Sequence, residues 1–134
     1  MNRKKSREKA MEILFGMYLS KDSKEDAIET YKENYEDSLD GVDFNYIDKT
    51  IEGVLKNEDE IEKSIEKNLK NWKLDRISKV NLTILKIAVY EMKFAEDVPE
   101  KVAINEALDL AKKYSDEKSI PFINGVLDNI FKES

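Results

Sequence analysis

Apolar positions recur along this chain at intervals of three and four residues, the period of a helix with one buried face. Ala10, Ile13, Leu14, Met17 and Tyr18 form the first stripe. A weaker one, Ala27, Ile28, Tyr31 and Tyr35, predicts a short second helix around residues 24–36. Gly41 breaks the chain, and Asp43 is placed to cap a third helix carrying Phe44, Ile47, Ile51, Val54 and Leu55. Beyond the acidic run at 57–60, Ile61, Ile65, Leu69 and Trp72 mark a fourth.

Residues 77–95, ISKVNLTILKIAVYEMKFA, are apolar around most of the helical circumference. They leave only a narrow polar strip at Lys79, Thr83, Lys86, Tyr90 and Lys93. A helix so broadly apolar belongs at the centre of a bundle. Pro99 suits the first turn of a sixth helix, striped by Val102, Ala103, Ala107, Leu110, Ala111 and Tyr114. Ser115 or Asp116 precedes a seventh, with Pro121 confined to its first turn. There IPFINGVL contains Asn124-Gly125, a strong hairpin signal in other settings. Phe122, Ile123, Val126, Leu127, Ile130 and Phe131 keep helical spacing through it, so the pair lies on a helix. A glycine costs roughly 1 kcal/mol in a helix interior. Its presence predicts that another backbone, that of residues 77–95, approaches closely at Gly125.

The expected fold is therefore all-α, a single-domain bundle of about seven helices over residues 1–134. Composition agrees, with 39% charged residues, four glycines and two prolines in 134. The chain has no cysteine and no histidine, which excludes disulfides, thiol nucleophiles, histidine triads and His- or Cys-ligated zinc. The glycines at 16, 41, 53 and 125 are too dispersed for a phosphate-cradling loop. DSLDG at 37–41 reads as a capping turn rather than a calcium loop, and the acids at 57–62 as an exposed helix junction rather than a cation site. No enzyme signature emerges and no cofactor is implied. No run approaches the roughly 20 apolar residues that span a bilayer, so a soluble cytoplasmic protein is expected.

Charge adds a direction. The net charge is −6, yet Arg3, Lys4, Lys5, Arg7 and Lys9 face Glu8 alone within the first ten residues. A basic segment on an acidic chain is a pointer to nucleic acid; the alternative is a solvated helix start.

Several phrases then coincide: RKKSREKAMEILFGMY at the start, ILKIAVYEM centrally, and DVPEKVAINEALDLAKKYSDEKSIPFINGVLDNI to the end. On these the chain resembles the NusB family of bacterial transcription antitermination factors, over its whole length. The resemblance implies an all-α fold of two packed three-helix groups and a non-enzymatic role. It also implies binding of boxA-type single-stranded RNA together with NusE, a small-subunit ribosomal protein. The pair would help RNA polymerase resist termination, notably in ribosomal RNA transcription. By position, the RNA-binding set implied is Arg3, Lys4, Lys5, Arg7 and Lys9, with a second contact at Lys118 and Phe122; Tyr18 and Asn81 fall on the partner surface. Two departures stand out. The first helix mixes lysine with arginine, and lysine lacks the planar fork for bidentate contacts. Many relatives carry an acid where this chain reads Val80, Asn81, Leu82, which weakens the implied contact of Asn81 with a basic NusE. Two other readings fit the same helices: a stand-alone helical adaptor, and the NusB-like module of ribosomal RNA cytosine methyltransferases. A chain of the last kind is expected to continue into a Rossmann-like domain with a Gly-rich loop.

Overall fold

A computed structural model describes residues 2–35, 38–70 and 73–133. Asp37 of the DSLDG turn and Trp72 of the fourth stripe lie outside the described residues. Among the described residues the chain forms seven α-helices, one 3-10 turn and no strand. The helices are α1 (Arg3–Ser20), α2 (Lys24–Asn34), α3 (Phe44–Lys56), α4 (Glu58–Lys67), α5 (Lys79–Lys93), α6 (Glu100–Tyr114) and α7 (Ser119–Glu133), with the 3-10 turn at Leu74–Arg76. The chain divides into two compact units, Met1–Glu52 and Gly53–Ser134.

The boundaries follow local chemistry. The Asn2 side chain accepts from the Lys5 amide to open α1, and Lys21 closes it in the left-handed conformation, φ 64°. Ser23 caps α2 through the Asp26 amide. Asp43 Oδ1 accepts from the amides of Asn45 and Tyr46 at the start of α3. The acidic run is the first turn of α4, where Glu58, Asp59 and Glu60 meet the positive end of the helix dipole. Pro99 sits at the N-cap of α6, and Pro121 falls in the first turn of α7.

In the second unit α5 packs against α4, α6 and α7, and eleven of its fifteen residues are buried. Within the polar strip Thr83, Lys86 and Tyr90 are buried, and only Lys79 and Lys93 reach solvent. Thr83 Oγ1 donates to the Lys79 carbonyl at 2.7 Å, and Lys86 Nζ lies 3.0 and 2.8 Å from the carboxylates of Glu58 and Glu62. Two acids of the 57–62 run thus hold a lysine of the chain itself.

One expectation is corrected: the close approach predicted at Gly125 is absent. A Cβ there would meet nothing within 4 Å, and Gly125 is exposed. The approach occurs at Gly53 on α3, where a Cβ would lie 2.0 Å from Tyr90 Cε1 and 2.5 Å from Cζ. The Tyr90 ring occupies the space a side chain would need. Burial there raises the Tyr90 pKa, with help from the charges of Glu91 and Asp97.

Candidate nucleic-acid interface

The five cations of the first ten residues have unlike surroundings. Asn2 donates its amide to the Gly41 carbonyl at 2.8 Å, and Ser6 Oγ accepts from the Asp43 amide at 2.8 Å. These bonds pin the start of α1 to the loop before α3. Lys5 Nζ caps two carbonyls of that loop, Ser38 at 3.0 Å and Asp40 at 3.1 Å. Arg7 is only 3% exposed, its guanidinium 5.7 Å from the centroid of the Tyr46 ring. Lys9 is buried as well, 3.6 Å from Glu12 and 4.6 Å from the centroid of the Tyr35 ring. Burial alone would lower the Lys9 pKa, but the hydrogen bond to Tyr35 and the charge of Glu12 outweigh it and leave the pKa raised. Arg3 and Lys4 are exposed. Arg3 also lies 4.1 Å over the Tyr46 ring and 3.9 Å from Asp43, a planar ion resting on an aromatic face. Of the basic set, then, Arg3 and Lys4 present charge to solvent, Lys5 is partly committed to the loop, and Arg7 and Lys9 belong to the packing of the first unit.

Tyr18 is half-buried on α1. A cavity of about 330 Å³ in the same unit opens beside Tyr31 and Tyr35, which stack at 5.1 Å. Glu12 and Asp22 line it, and Tyr31 donates its hydroxyl to Glu12 at 2.5 Å. Its acid lining repels phosphate.

The second unit brings together what the sequence separates. A cavity of about 500 Å³ at the α6–α7 corner is lined by Arg76, Asn81, Asp116, Lys118 and Phe122, among others. Arg76 and Lys118 are exposed and Phe122 is half-buried, so two cations and an aromatic ring border one recess. The corner is tightly bonded. Asp116 Oδ1 accepts from the Ser119 amide at 2.9 Å and hydroxyl at 2.7 Å. Those two bonds, the hydroxyl first, hold the Asp116 pKa below the ordinary 3.8. Asn81 reaches the same corner from the start of α5. It is 8% exposed, donates Nδ2 to Ser119 Oγ at 2.8 Å, and accepts from Ser115 Oγ at 2.6 Å. Lys118, Phe122 and Asn81, placed by resemblance on two different surfaces, therefore meet at one cavity. Arg76 and Asp116 were not anticipated. Arg76 stands more than forty residues before Lys118, and only tertiary packing makes them neighbours.

On this helical chain two exposed cations and a half-buried ring thus border one recess. Residues 4–132 match the NusB family model. The chain is 58% identical over 133 residues to the transcription antitermination protein NusB of Clostridium botulinum (strain Alaska E43 / Type E3), covering 99% of this chain and 100% of that one. It is 51% identical to the NusB of Clostridium novyi (strain NT), over 98% and 99% of the two chains. Among solved structures, T. maritima NusB superposes with a TM-score of 0.85 at 32% identity, over 99% of this chain and 92% of that one. A chain from the crystal structure of antitermination factors NusB and NusE in complex with dsRNA gives 0.83 at 28% identity, over 98% and 97%. The chain belongs to the NusB family.

Proposed function

We propose that this protein is a transcription antitermination factor that binds boxA-type single-stranded RNA together with NusE and helps RNA polymerase resist termination, notably in ribosomal RNA transcription. It acts in the cytoplasm, by binding and without catalysis, as one RNA-binding module spanning residues 1–134. The observation that carries the reading is the α6–α7 corner, where Phe122, Arg76 and Lys118 line one recess. Unpaired bases stack on aromatic rings while cations hold the backbone, a combination that suits single strands. Family membership supports the partner, as does a relative solved with NusE and RNA. Exposed Arg3 and Lys4 add phosphate contacts from the first unit, while Lys5, Arg7 and Lys9 hold the start of α1 in place. The net charge of −6 favours a basic protein partner and opposes RNA elsewhere on the surface.

The test is titration of a labelled boxA strand, its duplex and a scrambled strand, each with and without NusE. Tightest binding of the boxA strand in the presence of NusE is expected. Equal binding of all three RNAs, or no effect of NusE, overturns the reading.

A further inference from the structure

We propose that Asn81 is a positioning residue for the RNA-facing corner and not a contact for the protein partner. This rests on the function proposed above. The Asn81 side chain is almost fully buried, and both its amide groups are engaged within the second unit. The bonds run in one direction. Ser115 Oγ donates to Asn81 Oδ1, Asn81 Nδ2 donates to Ser119 Oγ, and Ser119 Oγ donates to Asp116 Oδ1. Each hydroxyl proton is used once, and the chain ends on a carboxylate that accepts and needs no proton. Lys118 lies between the two bridged serines, and Phe122 follows one turn after Ser119. Fixing residues 115 and 119 from α5 therefore sets where the ammonium and the ring stand at the cavity.

An acid at position 81 cannot donate to Ser119 and brings a second carboxylate to a corner that already holds Asp116. Restoring negative charge here, which a partner-contact role would favour, should damage the corner. Polar networks of this kind are favourable only while every member stays satisfied.

The full chain is tested as Asn81→Ala, Asn81→Asp, and Asn81→Asp combined with Asp116→Asn. In the double variant Ser119 can donate its hydroxyl to the new carboxylate, and asparagine still caps the Ser119 amide. Three readouts are taken: boxA RNA affinity in the NusE complex with its salt dependence, affinity for NusE alone, and the melting temperature. The two single variants are expected to weaken RNA binding about tenfold, the size of a broken buried hydrogen bond. The log–log salt slope should flatten by about 0.7, one phosphate contact, as Lys118 loses register. NusE affinity should stay within about twofold, and the double variant should regain most of the RNA affinity. A loss of NusE affinity in Asn81→Ala, unchanged RNA binding in a folded Asn81→Ala, or a double variant as weak as Asn81→Asp overturns the proposal. If Asn81→Ala fails to fold, Ser115→Ala removes one bond of the bridge and must show the same split between RNA and NusE. Failure of the wild-type chain to bind boxA RNA with NusE would instead overturn the function, so the two failures are distinguishable.

Discussion

The start of α1 and the α6–α7 corner make opposite use of charge. The first carries five cations in ten residues, and the fold takes up three of them: Lys5 on loop carbonyls, Arg7 beside Tyr46, Lys9 against Glu12 and Tyr35. The corner draws one cation from each of two distant segments, Arg76 and Lys118, and both reach solvent beside an aromatic ring. Charge density along a sequence measures what is present. Exposure measures what a ligand can use.

Breaking the largest element of this contrast means substituting Arg7. Arg7→Ala should destabilise the protein by about 2 kcal/mol, through lost packing of a buried stem and loss of the guanidinium from its buried setting. Thermal unfolding reads it; a melting temperature within a degree of wild type would show that the start of α1 is a solvated arm after all. Phe122→Ala should behave inversely. RNA affinity in the NusE complex should fall by about 1–3 kcal/mol, the range for loss of one stacked base, while the melting temperature stays nearly fixed. Lys118→Ala and Lys4→Ala sharpen the contrast between exposed cations. Each should flatten the salt slope by about 0.7. Lys9→Ala should leave that slope unchanged while lowering stability.

Smaller again is Gly125→Ala. With open space around the added methyl, stability should rise by about 0.4–1 kcal/mol with RNA binding unaltered. The smallest expectation is no change at all. Hydrogen bonds from Ser119 lower the Asp116 pKa, so its carboxylate supports the corner at pH above 3.8 and loses that role only as pH falls through the depressed value. The affinity ratio of wild type to Phe122→Ala should therefore match at pH 5.5 and pH 8, by RNA titration at constant salt.

Helix existence was legible because burial on one face leaves a periodic trace, and the Asp43 cap was legible because it acts within three residues; Pro99, read as a first-turn residue, stands one position earlier, at the N-cap of α6. Which glycine meets a neighbour was not. Gly53 and Gly125 look alike in sequence, both within apolar helical runs, and only the Tyr90 ring distinguishes them. The partners of the α5 polar strip were illegible for a related reason. Lys86 meets two carboxylates of α4, a pairing across more than twenty residues that no local pattern encodes. Leu69, read as part of the fourth stripe, falls past the C-cap of α4 at Asn68. For the site, Lys118 and Phe122 were proposed by resemblance, whereas their meeting with Arg76 and Asn81 needed the packed corner. The basic segment left two readings open in the sequence, because a lysine buried on an aromatic ring and a lysine in water are written with the same letter.

The Lys86 ion cluster constrains how this chain can change over generations. Glu58 and Glu62 stand one helical turn apart and share a single buried ammonium. Replacing Lys86 first would leave two like charges beside each other on half-buried side chains, which is unfavourable though water still reaches them. Replacing one glutamate first leaves the lysine still neutralised by the other. Substitution here is therefore ordered: one acid can change while the other still pairs the lysine, but replacing both before Lys86 strands a buried ammonium. Positions 58, 62 and 86 should be inherited as one correlated unit, with the effect of each change set by which of the others is already in place.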